Sequence, residues 1–499
     1  MQNETILQFF HWYTPADGAL WKQFTTQAQH LKDTGLTMIW FPPAYKGNAG
    51  GLSVGYDPYD LYDLGEFDQK SSIRTKYGTK DEYLEACKAA HEAGLGIMAD
   101  VALNHKAGAD ETEKFWVRKV NPDNRHEYLS DSYEIEGFTK FSFPVRQGKY
   151  SDFTWHWYHF TGVDYAHDHQ ENGIFTIQKD YAQTWNDLVD DELGNYDYLM
   201  YADIEFRNDQ VREELKRWGE WYLETTGADA FRLDAVKHIP PSFFNEWLDH
   251  LRKVSGKPLF TVAEYWKQDL AALQRYVDAT QGRMSLFDVT LHYNFHEASR
   301  AGNSFDMRTI FDGTLVQSAP TNAVTLVENH DTQPLQSLES PVEPWFKPLA
   351  YALILLREQG VPCVFYPDLY GTNYTDQGGD GQDYTIDLPP VEVLPALLKA
   401  RQELAYGEQQ DHLDGPNLIG WTRAGHDEVP DSGCAVVLTN GDSGTLHMQL
   451  GARHANAVFT DRLGHHPDRI QLDDQGGADF PVQPGSVSVW ARETNATKV

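Results

Sequence analysis

The chain has 499 residues, 41% of them apolar and 13% aromatic, with 74 acidic and 41 basic side chains. This length and apolar content suffice for two or three domains with sizeable cores, which excludes a disordered chain. The net charge of −33 repels nucleic-acid phosphate and anionic lipid, and no local basic run offsets it. We therefore expect neither a nucleic-acid nor a membrane partner; the acidic surface serves solubility or adaptation to salt.

The cysteines and the first residues bear on thiol chemistry and on cellular location. Cys87, Cys363 and Cys434 are far apart, and none belongs to a Cys-x-x-Cys pair, so we expect buried, inert thiols. The first residues contain no basic stretch followed by an apolar segment, and no apolar run approaches about 18 residues. We expect a soluble, cytoplasmic protein, or a secreted one if a signal peptide was removed from the chain as given.

Short apolar runs of the β type alternate with helix-like segments along the first 400 residues. This alternation is typical of βα units that close a parallel sheet, and eight runs predict a (β/α)8 barrel. Helices are predicted at 20–35, 80–94 and 208–227, each ending on a glycine that suits the left-handed end of a helix. The predicted strands are 5–10, 37–43, 96–104, 227–234, 259–264, 285–289, 323–329 and 363–368.

Two segments do not fit the barrel pattern. More than a hundred residues separate the third and fourth predicted strands, far more than an ordinary βα loop contains. We therefore predict an inserted domain at 104–207, on the side where barrel enzymes keep their chemistry. Short alternating runs near the end predict an antiparallel β domain at 401–499. The barrel itself then comprises 1–103 and 208–400.

Acidic side chains follow three predicted strands at their carboxyl ends. The two-residue period of a strand puts Arg232 and Asp234 on the same face. Either the pair is a structural salt bridge, or Asp234 is a nucleophile that the guanidinium keeps ionised. Glu264 closes an apolar run, which favours the protonated form that a general acid requires. Asp331, beside His330, adds a third carboxylate at the same rim. Two carboxyl groups about 5–5.5 Å apart would suit a retaining glycosidase.

Four motifs in this order resemble those of glycoside hydrolase family 13, the α-amylase family. They are DVALNH (100–105), GADAFRLDAVKH (227–238), VAEYW (262–266) and VENHD (327–331). Nearly the whole chain is similar to the liquefying bacterial branch, most closely to its intracellular members. The resemblance implies a TIM barrel with an inserted domain after the third strand and a C-terminal antiparallel β domain. It also implies retaining endo-hydrolysis of α-1,4-glucosidic bonds in starch, glycogen and maltooligosaccharides, through a covalent glycosyl-enzyme intermediate.

The resemblance assigns roles to individual residues. It implies Asp234 as nucleophile, Glu264 as general acid/base and Asp331 as stabiliser of the transition state. Arg232 would orient the nucleophile, and the Tyr56 ring would stack on the sugar at the cleaved bond. His105 and His330 would bind hydroxyls of that sugar. Lys237 and Trp266 would contact sugars on the leaving-group side. Without the resemblance, Tyr56, Lys237 and Trp266 read as ordinary packed or surface side chains.

A calcium site between the inserted domain and the barrel is implied as well. Ca²⁺ prefers several oxygen ligands, and those implied here are Asn104, Asp197, Asp203 and the backbone carbonyl of His238. Secreted relatives carry further aspartates for a calcium-sodium-calcium cluster. This chain instead has Asn186, Glu205 and Arg207, and an arginine replaces an anionic ligand by a cation. We expect one calcium, with Asp164 as a candidate for a second site.

The residues leave alternatives open. A transglycosylase or an oligosaccharide-trimming glucosidase would use the same carboxylates. A glucan-binding protein without activity is expected to lack at least one of the three, and all three are present. The aromatic run of Trp155, His156, Trp157, Tyr158 and His159 either stacks on sugars or fills a small β-rich core. We expect a monomer that acts on an α-glucan.

Overall fold

The structure, a computed structural model, describes residues 3–182 and 184–493. It divides into two compact units. The first unit contains the described residues up to Tyr13, His30–Met38 and those from Asp288 onward. The second contains Thr14–Gln29 and Ile39–Phe287.

Eight parallel strands form one closed barrel, which confirms the predicted fold class. Seven strands fall inside predicted runs, and the eighth begins at Val361, two residues before the predicted run 363–368. Nearly all strand residues are buried, as expected of strands covered on both faces. Their bounds are Ile6–Gln8, Met38–Phe41, Gly96–Val101, Ala230–Leu233, Phe260–Ala263, Ser285–Phe287, Ala323–Leu326 and Val361–Phe365.

The second unit holds a mostly antiparallel sheet between the third and fourth barrel strands. Its strands are His105–Lys106, Glu111–Asn121, Asn124–Tyr128, Tyr133–Lys140, Phe160–Ala166, Glu171–Ile177 and Ala202–Ile204. The unit's helices are Lys80–Glu92, Asp209–Thr226, Pro241–Ser255 and Leu270–Ala279. It also contains the part of helix Leu20–Asp33 that runs to Gln29. A short antiparallel pair joins Lys46–Gly47 to Pro58–Asp60.

Local sequence explains where these helices begin and end. Thr79 and Glu82 form a reciprocal capping box at the start of Lys80–Glu92. Asn208 accepts from the backbone of Gln210 at the start of Asp209–Thr226. That helix ends at Gly227, whose φ of 72° is left-handed as predicted.

The first unit contains a C-terminal pair of antiparallel sheets. The larger one is built from Gln409–His412, Leu418–Arg423, Cys434–Thr439, Val487–Arg492, Val458–Asp461 and Arg469–Gln471, and the smaller from Gly444–Gln449 and Gly477–Val482. A core that includes Met448, Phe459, Phe480 and Trp490 packs between them. A separate hairpin pairs Thr372–Gln377 with Asp383–Leu388. The unit's helices are Val289–Ala301, Leu315–Ser318, Lys347–Leu355, Tyr366–Tyr370 and Leu394–Glu403.

The structure also shows the state of the three cysteines and the character of the described helices. Cys87, Cys363 and Cys434 are buried free thiols, as predicted. Among the described residues, no helix combines the length and apolar character needed to cross a bilayer. The predicted domain boundaries at 103/104, 207/208 and 400/401 stay predictions.

Candidate active site and metal site

Arg232 is the centre of a group of acidic side chains in the second unit. Its guanidinium is fully buried and donates from Nη1 to Asp100 Oδ1 at 2.9 Å and to Asp234 Oδ1 at 2.6 Å. Nη2 donates to Glu264 Oε2. Burial lowers the pKa of Arg232, but the surrounding carboxylates raise it well above its usual range. One permanent cation therefore binds two of the three predicted catalytic carboxyl groups, Asp234 and Glu264.

The backbone of adjacent strands brings Asp234 and Glu264 together. Asp234 N donates to the Val101 carbonyl at 2.9 Å, and Glu264 N donates to the Leu233 carbonyl at 2.9 Å. Directly after Asp234, Ala235 has a left-handed backbone with φ of 49°, which costs of order 1–3 kcal/mol for a residue with a Cβ. This turn takes the chain off the strand. The side chains of Asp234 and Glu264 keep 12% and 11% of their surface exposed, enough for contact with a substrate.

Asp100 is a buried member of the site that the sequence prediction missed. Its Oδ2 accepts from Trp40 Nε1 at 2.9 Å and from the Tyr56 hydroxyl at 2.8 Å. Burial raises the pKa of Asp100 to about 6, against the opposing effect of Arg232. The available signal was an acidic residue inside an apolar strand, at the start of the DVALNH motif.

Tyr56 and His105 lie beside this network. The Tyr56 ring centroid lies 5.5 Å from the guanidinium carbon of Arg232. The Tyr56 carbonyl is 2.9 Å from His105 Nε2. His105 is buried, and burial lowers its pKa, so the imidazole is neutral near pH 7. The structure thus gathers these two residues around the two carboxyl groups.

Lys237 and Trp266 lie just beyond the fourth and fifth barrel strands. Lys237 Nζ forms an ion pair with Glu192 of the segment between the third and fourth strands. Trp266 is half-buried, two residues after Glu264. Its neighbour Lys267 pairs with Asp190, 2.8 Å away. Glu192 and Asp190, which the sequence did not single out, therefore fix the inserted segment against these loops.

His330 and Asp331 belong to the first unit and follow its strand Ala323–Leu326. His330 is buried, with Nδ1 2.9 Å from Gln8 Nε2 and its ring stacked on Trp12 at a centroid distance of 6.1 Å. The Asn329 side chain accepts from the Asp331 backbone N–H at 2.9 Å, which fixes the turn. The Asp331 side chain remains 16% exposed.

Oxygen atoms suited to Ca²⁺ meet in the second unit. Asn104, Asp197 and Asp203 are all buried. Asn104 Nδ2 donates to Asp203 Oδ1 at 3.1 Å, while Asn104 Oδ1 has no hydrogen-bond partner among the described residues. Asp197 accepts from Asn186 N and Nδ2 at 3.0–3.1 Å. Two buried carboxylates beside an unsatisfied amide oxygen form a donor set that a divalent cation fits. The His238 ring is held by the Tyr196 carbonyl at 2.6 Å and is not needed as a ligand.

The neighbouring acidic residue Glu205 already has cationic partners. Its Oε2 is 3.0 Å from Lys179 Nζ, and its Oε1 accepts from Arg207 Nε at 2.7 Å. Asp164, the candidate for a second site, accepts from Tyr201 N at 3.0 Å. Across the described part of the chain, no three His, Cys, Asp or Glu side chains converge as a metal group. Asp197 and Asp203 therefore supply at most two carboxylates to a cation here, and Asn104 adds an amide oxygen.

The aromatic run at 155–159 divides between two roles. Trp155 and His159 are buried, as the core interpretation predicts. Tyr158 is 37% exposed and lines an open cavity. Neither interpretation alone describes the run.

Comparisons with known proteins agree on one family. Residues 17–388 match the α-amylase catalytic domain. The chain is 53% identical to the cytoplasmic α-amylase of Escherichia coli K12, over 99% of both chains. It is 49% identical to an α-amylase of Geobacillus stearothermophilus, over 100% of this chain and 88% of the relative. The solved structure of the α-amylase from Geobacillus thermoleovorans complexed with acarbose has a TM-score of 0.65 and 19% identity over 99% of both chains, which bears on the fold alone.

Proposed function

The chain belongs to the α-amylase family, and from this premise we propose that it is an α-amylase. It hydrolyses internal α-1,4-glucosidic bonds of starch, glycogen and maltooligosaccharides and retains the anomeric configuration. The observation that carries the proposal is the Arg232 guanidinium, which binds Asp234 and Glu264 at the ends of adjacent strands. A retaining glycosidase requires two carboxyl groups held close together in this way.

The first step forms a covalent glycosyl-enzyme. The Asp234 carboxylate attacks the anomeric carbon, and the Glu264 carboxyl donates its proton to the glycosidic oxygen, which leaves with the departing sugar. Arg232 orients Asp234 and supplies a permanent positive charge beside it, because a guanidinium does not lose its proton in a protein. Tyr56 stacks on the sugar at the cleaved bond.

The second step returns the enzyme to its starting state. Glu264, now a carboxylate, removes a proton from water, and the water oxygen attacks the anomeric carbon and releases Asp234. Asp331 stabilises the positive charge that develops on the sugar in both transition states. His105 and His330 bind hydroxyls of that sugar.

Sugars on the leaving-group side are assigned to Lys237 and Trp266. The ion pair of Lys237 with Glu192 supports this role, because it holds a flexible side chain in one place. Binding energy from such remote sugar units can be used to distort the sugar at the cleavage point.

A chromatographic time course of products from soluble starch tests the proposed activity. Oligosaccharides of about five to seven glucose units at early times are expected of an endo-acting enzyme. Only glucose or maltose would indicate the trimming glucosidase, and products longer than the substrate would indicate the transglycosylase. The absence of any product would favour a glucan-binding protein.

We also propose one resident calcium ion, held by Asn104, Asp197, Asp203 and the backbone carbonyl of His238. When bound, the ion compensates buried negative charge. The unsatisfied Asn104 Oδ1 supports the proposal. The pairing of Glu205 with Lys179 and Arg207 argues against a second ion beside it. Calorimetric titration of the chelator-treated protein tests this stoichiometry, with one calcium per chain expected.

The cellular setting is proposed from similarity. The relative from Escherichia coli is named cytoplasmic, and we propose the same location for this chain. The net charge of −33 supports a neutral glucan rather than a nucleic acid or an anionic membrane as its partner. We propose a monomer, which light scattering after size exclusion would test.

A further inference from the structure

We propose that the open cavity beside Tyr158 is a second glucan-binding site, distinct from the network around Arg232. The proposal rests on the proposed function, because its ligand is a stretch of the same α-glucan. The cavity has a volume of about 530 Å³ and lies between the inserted segment and the start of helix Asp209–Thr226. None of the proposed catalytic or sugar-binding residues lines it. The lining includes Tyr158 and two histidines of the inserted segment, His156 and His159, together with polar side chains of the helix.

Tyr158 offers a rigid, flat apolar surface. Its ring stacks on His156 with a centroid distance of 5.5 Å and an interplanar angle of 12°. His156 is itself held by Glu113, whose carboxylate lies 2.8 Å from Nδ1. The rings of Tyr158 and His159 also meet at an interplanar angle of 65°, with centroids 4.4 Å apart. An exposed aromatic ring fixed in this way can bind the C–H face of a pyranose at little cost in side-chain entropy.

Hydrogen-bond donors and hydrogen-bond acceptors both surround the Tyr158 ring. His159 Nδ1 accepts from the His156 backbone N–H at 3.0 Å, so the ring proton sits on Nε2 and faces Gln210 Oε1, 3.2 Å away. The side-chain amide nitrogen of Gln210 is then the atom that can donate a hydrogen bond to a ligand. Arg217 adds a second set of donors, and Asp152 and Glu213 supply acceptors. Sugar hydroxyls both donate and accept, so they match this mixed set.

Charge selects against other ligand classes. Asp209 is paired with Arg212, Glu213 with Lys216 and Arg217 with Glu214. Among its described lining residues, the cavity therefore carries no unpaired positive charge that would select phosphate or another anion. A neutral ligand with many hydroxyls and one apolar face fits these groups. A polymer bound here at one segment keeps its other segments at high effective concentration near the active site. The second site is therefore expected to favour long glucans over short ones.

Binding of glycogen tests the proposal in the Glu264→Gln background, where hydrolysis does not interfere. Affinity electrophoresis is expected to show about tenfold weaker binding for Tyr158→Ala and undiminished binding for Tyr158→Phe, which keeps the ring. Trp116→Ala is the matched control, because Trp116 is 54% exposed on the inserted sheet but does not line the cavity. Gln210→Ala provides an independent variant, with about fivefold weaker binding expected. Circular dichroism melting curves confirm that each variant is folded.

Activity gives a second readout with the catalytic carboxyl groups intact. In Tyr158→Ala, the ratio of kcat/KM on glycogen to kcat/KM on maltopentaose is expected to fall about tenfold. Unchanged glycogen binding in folded Tyr158→Ala and Gln210→Ala would overturn the proposal, as would an equal loss in Trp116→Ala. Binding that depends on Tyr158 in a protein that never cleaves starch would instead refute the proposed activity and leave the binding site standing.

Discussion

Replacing Asp100 by asparagine is expected to disable the active site without removing a group that contacts the sugar. The two Asp100 oxygens accept hydrogen bonds from Arg232, Trp40 and Tyr56. Asparagine has nearly the same shape but only one oxygen, so its amide nitrogen must face donors on one side. Losing a buried bond to a charged group costs about 1.5–3 kcal/mol, and an unsatisfied donor adds about 1–3 kcal/mol. We therefore expect the free energy of unfolding to fall by about 2.5–6 kcal/mol.

Catalysis should suffer as well as stability in this variant. Arg232 and Tyr56 both lose an anchor, and a displacement of about 1 Å in positioning groups costs roughly 100-fold in rate. We expect kcat/KM on maltooligosaccharides to fall by about 100-fold or more, measured on protein shown to be folded by circular dichroism at the assay temperature.

Asp63→Asn is the matched control for this experiment. Asp63 is buried and accepts backbone N–H bonds from Gly65, Glu66 and Phe67, so its replacement should also destabilise the fold. It touches none of the active-site residues named above, and its kcat/KM should stay close to that of the unmodified protein. If Asp100→Asn melted like Asp63→Asn and kept kcat/KM within threefold of the unmodified value, the proposed role of Asp100 would be wrong.

The Glu264→Gln change should lower kcat about 1000-fold while glycogen binding persists, because an amide cannot donate the required proton; full activity on starch would refute the assignment. Burial raises the pKa of Asp100 to about 6, so kcat/KM should fall as the pH drops through about 6, where protonation removes the charge that holds Arg232. A flat pH profile across that value would contradict this. Chelation of calcium should lower the melting temperature of the unmodified protein but not of Asp203→Asn, and equal shifts would argue against the site. Lys347→Met should destabilise the fold by about 3–5 kcal/mol in urea titrations, since it leaves two buried carboxylates without their cation; a loss below 1 kcal/mol would contradict this.

The barrel was predictable because its strands are covered on both faces. Such strands appear in the sequence as short, nearly continuous apolar runs, and each of the eight runs overlaps an observed strand. The predicted ends extend beyond the observed ones where polar residues with site roles follow the apolar run. Glu264, for example, lies one residue after the strand Phe260–Ala263. The functional residue therefore lies outside the strand, and the apolar pattern does not show where the strand ends.

The partners of the site residues were less predictable. The period of a strand correctly placed Arg232 and Asp234 on one face. It gave no sign that Arg232 would also bind Glu264 and Asp100, because those contacts depend on register between strands. The aromatic run at 155–159 shows the same limit. Composition reveals large rings, whereas only the fold decides that Trp155 is buried and Tyr158 is exposed.

The pairing of the first and last barrel strands sets a condition on synthesis of the chain. Ile6 lies opposite Cys363 in the parallel ladder, so one edge of the first strand finds its partner only after more than 350 further residues have been made. At about 5–20 residues per second on the ribosome, that wait lasts roughly 20–70 s. During this interval the strand Ile6–Gln8 presents an unpaired edge, which is the kind of surface that promotes aggregation. Slower or interrupted translation between the two strands should therefore lower the yield of folded protein before it alters any property of the finished enzyme.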